Sequence, residues 1–153
     1  MIIMETLIYD LLQQEIEAYL ENANEIVLAT CAENNVTART MNHVNHGLIV
    51  MFGTVGSSVK AEQIRINPNV ALVSGALQIE ATAELWGHPS KHEVYSQKNE
   101  AKFPWMKSEF PPDPEDGGVL VICHPKKIQL YKFIENKPHW DVLEVEEKKA
   151  YRI

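Results

Sequence analysis

The chain has 153 residues but only two cysteines, Cys31 and Cys123, each set in an apolar stretch. Two buried thiols in a reducing compartment are expected, rather than a disulfide or a redox pair. Long hydrophobic runs are missing too. The longest, such as Gly47 to Gly53, are too short to span a bilayer. The opening MIIMETLIYD lacks a basic n-region and a small-residue cleavage pattern, so no secretory signal is read and a cytoplasmic location is expected. Basic residues are the minority, 14 Lys and Arg against 21 Asp and Glu, for a formal net charge of -7. They are scattered apart from the pairs Lys126-Lys127 and Lys148-Lys149. With no basic stripe the chain would repel a polyanion, which argues against nucleic-acid binding. A small anion is still compatible, because a few local donors outweigh the global charge within a Debye length of roughly 8–10 Å. There is no Gly-Lys-Ser/Thr phosphate loop, no Gly-x-Ser-x-Gly elbow and no internal repeat.

What is present is an ordinary globular balance, 45% hydrophobic and 23% charged, enough to fill one core in a single domain over residues 1–153. Leu7, Ile8, Leu11, Leu12, Ile16, Tyr19 and Leu20 recur at helical spacing and predict an amphipathic helix over Thr6–Asn22, with Thr6 as N-cap, within an N-terminal segment 1–24. The pattern then turns to strands. Glu25–Ala32, Val36–Val44 and Leu48–Thr54 are separated by short turn signals and predict an antiparallel meander. Ser57–Asn67 has helical character and stops before Pro68. Asn69–Ser74 and Leu77–Trp86 read as strands joined at Gly75-Ala76, a bulge or a turn. A second helix is predicted from Ser90 to about Lys102, with Ser90 as N-cap and Glu93 at N3. Phe103–Gly118 is a proline-rich loop of the length that often carries function. Val119–Cys123 and Lys127–Ile134 are strands split by His124-Pro125, and the tail from 135 to 153 reads as a hairpin or an arm. A mainly β fold with flanking helices follows. Six or seven antiparallel strands in so short a chain are most simply closed as a small barrel.

One stretch carries chemistry. Phe52-Gly-Thr-Val-Gly-Ser-Ser-Val-Lys60 runs from a strand through a Gly/Ser turn into a helix. A helix start presents unsatisfied N–H groups and partial positive charge, a natural phosphate seat. Ser57 and Ser58 add hydroxyls, and Lys60 adds a full charge in the first turn. A serine-capped helix with a solvated lysine accounts for these residues equally well by itself. Arg39 adds a second cation. In a meander its strand pairs with the one leading to Ser57, and its planar fork suits a bidentate grip on phosphate. Among the histidines, His88 and His92 are four apart but straddle Pro89 and suit a helix start better than a metal pair. His43 and His46 read as solvated turn residues. Trp86, Phe103, Trp105 and Phe110 read as packing or dimer contacts.

The ordered set Ala38-Arg-Thr-Met-Asn42, Phe52-Gly-Thr…Ser-Ser-Val-Lys…Gln-Ile…Asn-Pro-Asn-Val-Ala-Leu72 and Gln78-Ile-Glu-Ala-Thr-Ala83 resembles the FMN-binding split β-barrel of pyridoxamine 5′-phosphate oxidase-like proteins, from about Glu25 to Ile134. The resemblance implies a Greek-key split barrel that binds FMN at the interface of a homodimer. Arg39, Ser58 and Lys60 would hold the phosphate with support from Ser57. The backbone of Thr40, Met41 and Asn42, with Phe52 and Thr54, would line the ring and ribityl chain. Gln63 would sit near the phosphate helix, Gln78 of the partner chain would face the flavin, and Trp140 would cover the ring. The acidic tail lacks the arginine- and histidine-bearing motif that holds pyridoxine phosphate in the true oxidases. The implied function is therefore an FMN-dependent oxidoreductase of another small-molecule substrate or electron donor. The alternative is a non-catalytic flavin- or haem-binding protein, with His43, His124 or His139 as axial ligand.

Overall fold

The computed structural model describes residues 4–106 and 113–153. Residues 107–112, which include Phe110 and part of the proline-rich loop, lie outside the described residues. Among the described residues, ten strands and three α-helices follow in the order β1 (Glu5–Thr6), α1 (Tyr9–Asn22), β2 (Glu25–Ala32), β3 (Asn35–Asn42), β4 (Val44–His46), β5 (Ile49–Val55), α2 (Val59–Ile66), β6 (Asn69–Ser74), β7 (Leu77–Gly87), a 3-10 turn (Pro89–Lys91), α3 (Glu93–Lys102), β8 (Gly118–Ile134), β9 (Lys137–Glu144) and β10 (Lys149–Arg152). No described helix is long and apolar enough to cross a membrane.

All pairings are antiparallel, in the order β1-β10-β9-β8-β7-β6-β2-β3, with β5 pairing β4 and the first part of β8. The fold is mainly β, as expected, but the hydrogen-bonded path does not return on itself, so the sheet is open rather than closed. The expected meander is also corrected, because among the described residues β3 pairs only with β2 and stands at the edge. Burial explains this. β5 is apolar on both faces, with Phe52 in the main core and Met51 in a smaller one, and β8 matches it with Val121 and Cys123 on one side and Leu120 and Ile122 on the other. β3 alternates exposed Val36, Ala38 and Thr40 with half-buried Thr37, Arg39 and Met41, a pattern that an edge tolerates and a doubly buried position does not.

Other expectations shift locally. Thr6 pairs with Tyr151 in β1 instead of capping, and α1 starts at Tyr9 with no side-chain cap. Its stripe narrows to Leu12, Ile16 and Leu20, while Ile8 and Leu11 stay exposed. Ser90 lies within the 3-10 turn, and α3 is capped by His92, whose ring accepts the Tyr95 N–H at 3.1 Å. Proline at the start of that turn favours a separate short turn over one continuous helix. His124-Pro125 does not split the strand. β8 runs 17 residues, and a register shift against Glu80 and Ala81 leaves Lys126 unpaired with β7, a bulge that absorbs the proline. Gly75 closes a tight turn at φ +54°, where a Cβ would collide with the Tyr19 hydroxyl. The tail forms the β9–β10 hairpin.

Candidate anion site

β5 ends at Thr54-Val55, the chain turns through Gly56 and Ser57, and α2 begins. Ser58 is the N-cap, its Oγ accepting the Ala61 N–H at 3.3 Å and lying 3.5 Å from Thr54 Oγ1. The turn favours glycine at 56, because its N–H donates to Gly117 O at 2.9 Å and a Cβ would stand 3.0 Å from that oxygen, a tight contact. Lys60 follows in the first turn, half-buried, and Ser57 is exposed beside it.

Arg39 reaches the same place by a different route from the one expected. β3 lies beside β2, α2 packs across β2, and Arg39 on the inward side of β3 comes to face Lys60. Burial, and then repulsion from Arg39, push the Lys60 ammonium below the ordinary lysine value. Burial likewise lowers Arg39. Among the described residues neither cation forms an ion pair with a carboxylate. Arg39 instead donates to neutral acceptors: Nη1 to Leu28 O at 3.2 Å and to Thr30 Oγ1 at 2.9 Å, and Nη2 to Thr37 Oγ1. Both hydroxyls contact Gln63 of α2. Two partly desolvated like charges at a capped helix start, without a counter-charge, fit a small dianion such as a phosphate monoester.

Arg39, Thr54, Ser58, Lys60 and Gln63 are thus brought together, with Ser57 adjacent. The other expected residues are placed elsewhere. Phe52 is 1% exposed, with its side chain in the core. Met41 packs against the main core, while Thr40 and Asn42 are exposed on the outer face of β3. Gln78 and Trp140 border a shallow depression of about 230 Å³ with Gln129 and Tyr131. Thr40, Val27, Val73 and Gln78 lie in register across four strands, so Gln78 stands about 14 Å from Thr40 at ~4.8 Å per strand. Within one chain, Gln78 does not join the anion seat. Thr30 and Thr37 were not anticipated. Their signal was two inward threonines flanking the arginine's register, at positions where apolar residues would serve a core.

A larger cavity, about 730 Å³, lies on the opposite side of β5, walled by Gly53, Pro89, Tyr95, Phe103 and Met106. At its rim His88 joins Ser90 Oγ (2.7 Å) and Asp116 Oδ1 (2.8 Å). The chain has the form of a nucleophile relay, but the surrounding N–H groups are occupied: Ser90 by His88 Nδ1, Lys91 by His88 O and His92 by Pro89 O. With no oxyanion donors among them, the trio acts as a cap that ties the 113–118 segment to the 3-10 turn.

The histidines complete the picture. His43 is not a solvated turn residue; it is 1% exposed, its Nε2 donating to Leu20 O at 3.2 Å, because β4 is enclosed between α1 and α3. That burial leaves no approach for a haem. His124 pairs with Glu84 at 2.9 Å. Burial, with Lys102 nearby, lowers His43 to about 4. The unfolded chain, near the ordinary 6.5, therefore binds more protons between pH 6.5 and 4, and stability falls as pH drops through that window, by about 3 kcal/mol in all. Urea unfolding across pH 4–7 is expected to show this loss in the native chain and a flatter profile in His43→Gln.

An open antiparallel sheet, with two cations meeting at the capped start of a short helix beside an edge strand, defines a protein of the split-barrel kind. The family model for pyridoxamine 5′-phosphate oxidase matches residues 12–131, and the chain belongs to that family. No curated protein matches it. Among solved structures it is similar to a putative pyridoxamine 5′-phosphate oxidase from Listeria innocua (24% identity, 82% of this chain and 99% of that one, TM-score 0.62). It is also similar to General Stress Protein 26 from Bacillus anthracis str. Sterne (20%, 88% and 98%, 0.64). A third is a pyridoxamine 5′-phosphate oxidase-related, FMN binding protein from Nostoc punctiforme PCC 73102 (13%, 93% and 91%, 0.60). At these identities the likeness concerns the fold.

Proposed function

We propose that the chain is an FMN-binding flavoprotein that works as an oxidoreductase, in the form of a cytoplasmic homodimer. The observation that carries this reading is the Arg39–Lys60 pair at the Ser58-capped start of α2, two cations with no described carboxylate between them. A terminal phosphate supplies the missing charge. The Nostoc relative, described as FMN binding, supports FMN as the bearer of that phosphate.

The bound flavin would supply the electron transfer, and the chain's residues bind and orient it. Arg39 and Lys60 would hold the phosphate, with Ser57, Ser58 and Thr54 supplying hydroxyls beside it. The dimer is supported by the outer sheet face, where Val27, Ala29, Ala38, Ala71 and Val73 form a small-residue apolar surface. A partner on this face would bring its own Gln78 and Trp140 toward the flavin, which a single chain cannot do. Pyridoxamine phosphate is not the proposed substrate. Arg152, the tail's one arginine, is bound to Asp141 at 2.7 and 3.0 Å and is not free for a second phosphate.

The purified protein, loaded with FMN and desalted, is expected to keep the flavin's visible bands at one FMN per chain and to sediment as a dimer. A colourless protein that gives no heat with added FMN would overturn the reading, and a monomer retaining FMN would overturn the dimer alone.

A further inference from the structure

We infer that Gln63 is a positioning residue: through Thr30 and Thr37 it orients Arg39 so that one side of the guanidinium stays open to an anion. This rests on the FMN reading above. Gln63 is buried on α2, and its Nε2 donates to Asn35 O at 3.1 Å, which turns Oε1 toward the two threonines. An amide oxygen only accepts, so both hydroxyls donate to it, Thr30 at 2.5 Å and Thr37 at 2.7 Å. Each hydroxyl has a single hydrogen. Toward Arg39, 2.9 Å away at Thr30, each can therefore only accept.

The consequence for the guanidinium follows by counting. The hydrogens on Nη1 go to Leu28 O and Thr30, and one on Nη2 goes to Thr37. Among the described residues the Nε–H and the second Nη2–H have no acceptor, which leaves two parallel donors matched to two phosphate oxygens. The acceptors are all neutral, so Arg39 is aimed without losing its charge to a protein carboxylate. Without the Gln63 oxygen, the two hydroxyl hydrogens lose their shared acceptor, and the threonine oxygens that receive the Arg39 N–H groups are no longer held in one direction.

The test is the affinity of the intact protein for FMN and for riboflavin, which lacks the phosphate. Gln63→Met and Thr37→Val are each expected to weaken FMN at least about tenfold and leave riboflavin unchanged. Thr37→Ser, which keeps the hydroxyl, is expected to restore FMN affinity to within about twofold. In an Arg39→Met background, Gln63→Met is expected to add little, since it acts through the missing guanidinium. Unchanged FMN affinity in Gln63→Met and Thr37→Val would overturn the inference, as would equal weakening of FMN and riboflavin, the mark of a merely structural role. Failure of the native chain to prefer FMN over riboflavin would instead overturn the FMN reading, and the inference with it.

Discussion

Arg39→Ala and Lys60→Ala are each expected to weaken FMN binding by about 1.5–3 kcal/mol, roughly 10- to 150-fold, and Lys60→Ala to leave thermal stability little changed. The magnitude follows from charge-assisted hydrogen bonds in a half-buried seat, where solvent screens less than at the open surface. Stability is expected to hold, or to rise slightly in Lys60→Ala, because repulsion from Arg39 already opposes the Lys60 charge in the free protein. The pH dependence carries a sign. Lys60 titrates below the ordinary lysine value of about 10.4, so affinity is full at neutral pH and declines as pH rises through that lowered value. Titrations monitored by flavin fluorescence at pH 7 and 10 check both points. At pH 7 riboflavin, which lacks the phosphate, is expected to lose no affinity on either substitution.

Asp141→Ala is expected to destabilise the fold by about 3–5 kcal/mol, the range for breaking one side of a buried charge network. Asp141 is 1% exposed and bonds Lys132 at 2.7 Å and Arg152 at 2.7 and 3.0 Å. Lys132 also reaches Glu15 of α1 and Arg152 reaches Glu5 of β1, so the one carboxylate joins the tail hairpin to the N-terminal segment. Burial alone would raise the Asp141 carboxyl, but bonds from Arg152 and Lys132 hold it below the ordinary carboxylate range. Its contribution is therefore present above the unfolded value near 3.9 and is lost as pH falls through the lowered folded value. Thermal melts of Asp141→Ala and Asp141→Asn at pH 7 read the loss. Because the network lies away from the anion seat, protein that remains folded is expected to bind FMN normally.

Much of the fold was legible because it follows local rules. Leu12, Ile16 and Leu20 keep helical spacing, Leu77–Ala83 alternates, and Ser58 heads a helix that stops before Pro68. Pairing was less legible. β3 follows β2 and precedes β5, so a meander looked natural, yet β5 is apolar on both faces and takes β8, a partner distant in sequence. Arg39 and Lys60 still come together, since Arg39 reaches Lys60 across β2 rather than along a shared ladder. Thr30 and Thr37 went unread because polar residues inside strands resemble ordinary alternation until Gln63 is placed above them. His43 misled in the same way: its neighbours signal a turn, while its burial comes from α1 and α3 closing over it.

A crystal structure of the protein with FMN tests the central claim most directly. The account predicts the phosphate between Arg39, Lys60 and the Ser57-Ser58 turn, with two of its oxygens on Arg39 Nε and Nη2. FMN phosphate seated elsewhere, in the cavity beside Tyr95 and Phe103 for instance, would contradict it.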